Sequence, residues 1–126
     1  MIDLAEHRLR FCLAGHLPPV IAIPSRASEF ADAIADPPIG FGLSARSRRC
    51  HTIDLPAGAL VCFYTDGLIE RPGQAIDRGM DALLRITSAA SADTVGATLI
   101  ARFVGAETLA DDVAVLAAHR ADTDAA

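Results

Sequence analysis

From Arg8 to Ala14 the chain alternates: Leu9, Phe11 and Leu13 are apolar and Arg10 interrupts them, the pattern of a half-buried strand. Gly15-His16-Leu17-Pro18-Pro19 breaks the run, and Val20 to Ile23 resumes it with β-branched residues. Glu29 to Ala35 fits either a strand or a short helix, with strand preferred. Asp36-Pro37-Pro38-Ile39-Gly40 is a loop, since its prolines cannot donate to a ladder. Arg48 to Leu55 predicts a further strand, ended by Pro56-Ala57-Gly58. Ala59 to Thr65 is almost wholly apolar, as in a strand buried on both faces.

Beyond Arg71-Pro72-Gly73 the period changes. Met80, Leu83, Leu84 and Thr87 share one helical face, with Asp77 as candidate cap. Val95, Leu99, Ile100, Phe103 and Val104 mark a second helix, with Ser91 or Asp93 before it and Gly105 as C-cap. Val113 to Ala118 is apolar at both alternating sets of positions and predicts a central strand. Residues 121–126 are polar and are expected to fray as a disordered tail. Strands grouped ahead of helices imply an α+β domain: a mainly antiparallel sheet with helices packed on it.

Composition narrows the function. The 126 residues fit one domain, and an apolar fraction of 52% supports a packed core. All 11 basic residues are arginine, the net charge is −5, and no basic stripe appears, which argues against nucleic-acid binding. Arg46, Arg48 and Arg49 cluster, as a solvated patch or a contact for a phosphoprotein. The longest apolar run is too short to span a bilayer. The 3 cysteines lack metal spacing and a disulfide framework, and Cys12 and Cys62 sit in apolar runs as small hydrophobes. A reducing, cytoplasmic location is the expectation.

Asp66 follows the buried strand, with Gly67 after it, and Asp111-Asp112 precede the last strand. If those strands are antiparallel neighbours, the carboxylates converge on one edge. Like charges held close call for a compensating cation, and oxygen-only donors suit Mg²⁺ or Mn²⁺. Asp-Gly and Asp-Asp are also ordinary solvated turns, so both readings stand on spacing alone. His16, entering a proline turn, fits a backbone-bonding role better than general-acid work.

Four segments together resemble the SpoIIE-type branch of the PPM (protein phosphatase 2C-like) serine/threonine phosphatases. They are Ala14-Gly15-His16-Leu17-Pro18-Pro19, Pro38-Ile39-Gly40, Pro56-Ala57-Gly58 leading to Phe63-Tyr64-Thr65-Asp66-Gly67-Leu68-Ile69-Glu70, and Asp111-Asp112-Val113-Ala114-Val115-Leu116. The resemblance implies antiparallel β-sheets flanked by helices, an α/β/β/α sandwich, in residues 1–120. It implies Mn²⁺ or Mg²⁺ held by Asp66 and Asp111 with Asp112 beside them, and Gly67 permitting tight backbone there. The implied reaction is hydrolysis of phosphoserine or phosphothreonine on a protein, such as an anti-sigma-factor antagonist. Family members also carry an earlier Gly-Asp motif that bridges two metals. Asp3, ahead of Ala14, has no glycine beside it, so the N-terminal part of the domain is expected to be missing. The alternative is a catalytically inactive remnant that acts as a binding or regulatory module. Self-association through an exposed apolar sheet is expected in either case.

Overall fold

The computed structural model describes residues 1–41, 47–105 and 111–121. Arg46 of the arginine cluster and residues 122–126 of the tail lie outside the described residues. Among the described residues seven strands and two α-helices follow in the order β1 (Ile2–Asp3), β2 (Arg8–Phe11), β3 (Val20–Ala22), β4 (Glu29–Phe30), β5 (His51–Asp54), β6 (Leu60–Tyr64), α1 (Ile76–Ile86), α2 (Ala92–Leu99) and β7 (Val115–His119). They form two antiparallel sheets, ordered β1-β2-β5 and β4-β3-β6-β7.

Alternation along the strands sets the layers. Leu9, Phe11 and Leu13 pack against Ile21 and Val61, so one core fills the space between the sheets. Val20, Leu60, Cys62 and Tyr64 point the other way and meet Leu83, Val95 and Leu99 of the helices. β6 serves both cores, which is why its sequence is apolar at every position. The result is the expected α+β arrangement, with α1 and α2 covering one face of the four-stranded sheet.

Several details depart from expectation. Val113 to Ala118 does not form a central strand; β7 stands at the sheet's edge among the described strands. Partial burial on two faces accounts for the apolar pattern: Val115 and Ala117 face the helices and Ala118 faces the other sheet, while Leu116 stays exposed. Asp77 does not cap α1. Ala75 holds the N-cap position without a side-chain bond, and Asp77 sits in the first turn, where its charge complements the helix dipole. Ser91 does cap α2, accepting from Thr94 N at 3.2 Å. After Leu99 the helix widens into a π-turn over Ile100–Val104, which rotates Ile100 outward and ends at Gly105, φ +40°. Cys62 is buried as predicted, but Cys12 is exposed, because strand alternation turns it away from Phe11 and Leu13. The two-residue strand β1, turned by Asp3 Oδ1 accepting from Ala5 N and Glu6 N, had no periodic signal to announce it. Among the described residues no helix is long and apolar enough to cross a membrane.

Two outcomes follow from this packing. β7 ends its sheet among the described strands, and the exposed Leu116 (65%), Phe41 (73%) and Ile39 (81%) leave apolar surface in contact with water. Light scattering is expected to show concentration-dependent association, reduced by Leu116→Glu; a strict monomer at all concentrations would contradict this. Burial also pushes the Cys62 thiol from 9.0 up to about 11. A folded-state value above the unfolded one means the native state holds the proton longer, so stability is lost as pH rises between those two values. The urea midpoint should be level just below that window and fall through it, with a shallower fall in Cys62→Ala.

Candidate metal edge

β6 and β7 are antiparallel neighbours in the register Tyr64↔Val115, so the end of one lies beside the start of the other. Pairing continues past the strands. Thr65 N donates to Ala114 O at 3.0 Å. The Thr65 hydroxyl donates to Asp112 O at 3.1 Å and accepts from Ala114 N at 2.9 Å. One threonine side chain thus completes the ladder where the backbone of residues 111–114 departs from it.

Asp66 opens a 3₁₀ turn, Asp66–Leu68, whose buried Gly67 lies against the Asp111-Asp112 backbone. A Cβ at Gly67 would overlap the Asp112 carbonyl oxygen and crowd the Asp111 carbonyl at 3.2 Å. Glycine is needed here for proximity and not for an unusual φ. The structure therefore brings the Asp66 and Asp111-Asp112 segments to the same sheet edge. All three aspartates are exposed there. Asp66 Oδ1 accepts from Gly67 N at 3.0 Å, and Asp111 Oδ1 accepts from Asp112 N at 2.7 Å, which orients each carboxylate locally.

Neighbouring elements brace the turn. Gly79 of α1 packs so closely on the Ile69 carbonyl that a Cβ would overlap it. The Arg71 guanidinium donates to the carbonyls of Glu70 at 2.8 Å, Gly67 at 3.4 Å and Phe103, joining the turn to the π-turn after α2. Sequence reasoning placed Thr65 in the motif segment and Arg71 in a turn but assigned neither a bonding role.

The other motif segments are junctions too. Tyr64, buried in the core, donates its hydroxyl to Pro18 O at 3.1 Å. Gly15, at φ +73°, packs on Pro38 and donates its N–H to Asp36 O at 2.7 Å. Gly58 N donates to Arg120 O at 2.9 Å. His16 Nδ1 donates to the Leu17 carbonyl at 2.9 Å, a turn-bracing contact. Arg48 and Arg49 are latched to Pro37 O and to the Asp36 carboxylate, so they serve the loop's geometry.

Two cavities among the described residues, of about 670 and 310 Å³, are lined by residues other than these aspartates. The donors at the aspartate edge are carboxylate oxygens, the chemistry of a hard cation. Among the described residues no three His, Cys, Asp or Glu side chains converge on one point.

The profile of the Stage II sporulation protein E (SpoIIE) family matches residues 1–121. Among solved structures, the chain is similar to the RsbU and RsbW domains of Rv1364c from Mycobacterium tuberculosis, with 28% identity, a TM-score of 0.80, and coverage of 97% of this chain and 35% of that one. It is similar in fold to the phosphatase domain of the cell fate determinant SpoIIE from Bacillus subtilis, with 20% identity, a TM-score of 0.61, and coverage of 96% and 54%. A third likeness in fold is to RsbX in complex with magnesium, with 17% identity, a TM-score of 0.61, and coverage of 94% and 52%. The chain spans between 35% and 54% of the lengths of these proteins. A match over residues 1–121 places the chain in the SpoIIE family of PP2C-like phosphatase domains.

Proposed function

We propose that this chain is the carboxylate-bearing part of a metal-dependent phosphoprotein phosphatase. The observation that carries the reading is the contact of Gly67 with the Asp111-Asp112 backbone, which puts acidic residues far apart in sequence on one edge. Asp66 and Asp111 are the proposed ligands of Mn²⁺ or Mg²⁺, with Asp112 adjacent. Such an ion, when bound, supplies charge neutralisation for phosphoryl oxygens and activation of water. The chain's own residues orient the carboxylates and hold the turn. Without a cation, this acidic edge would repel a phosphate dianion, so the ion is needed even for substrate to approach.

The proposed substrate is a phosphoserine or phosphothreonine of a bacterial regulatory protein, such as an anti-sigma-factor antagonist, in the cytoplasm. Support comes from the family and from the likeness to RsbU, RsbW and SpoIIE domains. A binding or regulatory module without turnover is the second reading. Two-metal chemistry uses ions about 3.5–4 Å apart, which demands shared ligands.

Calorimetry with Mn²⁺ tests the site. Asp66→Ala should weaken binding at least about tenfold, by loss of a direct ligand, whereas Asp81→Ala on exposed α1 surface should leave it unchanged. Affinity should also fade toward acid pH, as protons compete for the carboxylates. Equal binding by Asp66→Ala and wild type would sink the assignment. Hydrolysis of a phosphoserine peptide by the chain is expected to be slow, Mn²⁺-dependent and absent in Asp66→Asn. Mn²⁺ binding with no detectable hydrolysis would instead support the binding module. Gly67→Ala should cost about 1–3 kcal/mol in chemical unfolding, by overpacking, and should lower Mn²⁺ affinity while leaving every carboxylate in place.

A further inference from the structure

Cys12 follows β2 and Cys50 precedes β5. The register Phe11↔His51 makes them the next cross-strand pair. Opposed residues on antiparallel strands have Cα atoms about 4.5–5.5 Å apart, within the range a disulfide accepts. The two Sγ atoms lie 2.7 Å apart, less than 1 Å beyond the S–S bond length of about 2.05 Å. Both side chains are exposed, on the solvent face of the first sheet. Among the described strands β5 stands at the end of the first sheet. The region is already braced. Asp36 Oδ2 accepts from Arg49 N at 2.7 Å, and His51 Nε2 donates to Ile34 O at 3.2 Å. Little backbone movement is needed to close the bond.

We propose that Cys12 and Cys50 form a reversible disulfide, a redox modification site that staples β2 to β5. The oxidant is of the hydroperoxide class. One thiolate attacks a peroxide oxygen, the O–O bond breaks and hydroxide leaves as water, giving a sulfenic acid. The second thiolate attacks that sulfur, the S–O bond breaks and a second water leaves. Two thiols and one hydrogen peroxide thus become one disulfide and two waters. A dithiol reverses the step by exchange. The bond closes a loop whose ends are 38 positions apart and which contains two of the family's motif segments, Ala14–Pro19 and Pro38–Gly40. Oxidation therefore tethers covalently what hydrogen bonds and the Gly15–Pro38 contact otherwise hold.

The test treats the folded chain with hydrogen peroxide and maps its cysteines by mass spectrometry, with a thermal melt before and after dithiothreitol. The expected result is one linked peptide pair, Cys12 with Cys50, with Cys62 left as a thiol. The oxidised chain should melt on the order of 10 °C higher than the reduced one. Cys50→Ser should show neither the link nor the shift, while Cys62→Ala should keep both. The proposal is overturned if Cys12 or Cys50 accumulates unlinked sulfinic acid, if bonds form mainly between molecules, or if the link forms without raising the melting temperature.

Discussion

The structure depends on the close antiparallel approach of β6 and β7 at the end where Asp66 and Asp111-Asp112 stand. β6 belongs to both cores, so its position is over-determined by packing on two sides. The approach at its end is decided by a single missing side chain: with any Cβ at position 67, the Asp112 carbonyl would have to move. Thr65 then supplies both a donor and an acceptor where regular pairing ends, satisfying Asp112 O and Ala114 N.

Charge is placed with the same economy. Three carboxylates gathered in a dry interior would impose a large desolvation cost. Here all three are exposed, and the N–H bonds to Asp66 and Asp111 come from the next residue in each case. The carboxylates are thereby aimed without being buried. The cationic partner nearby in sequence, Arg71, is turned to carbonyl oxygens of the turn and of Phe103. It braces the scaffold under the edge.

The first sheet and the loop that crosses it form a second unit of order. Gly15 against Pro38, the Asp36 latch on Arg49, and the Cys12–Cys50 pair all fasten the chain between β2 and β5. Tyr64 couples this unit to the helix-covered core through Pro18. Motif residues that look unrelated along the chain are thus the fasteners between layers.

Much of this was legible in the sequence because the signals were local. Alternation around Leu9, Phe11 and Leu13, the apolar run of β6, and the helical spacing of Leu83, Val95 and Leu99 each follow from one element burying one or two faces. Glycines beside charged or proline-rich segments marked the junctions. The position of β7 at the end of its sheet among the described strands was not legible, because partial burial on two faces accounts for its apolar pattern. Nor was the exposure of Cys12, whose thiol could suit either face until the register of β2 was set. The meeting of the Asp66 and Asp111-Asp112 segments was legible only on the condition that β6 and β7 pair antiparallel, which the fold supplies. The Cys12–Cys50 approach and the Arg71 bond to Phe103 join residues tens of positions apart. Local sequence carries no term for such distances; only the packed sheets bring them together.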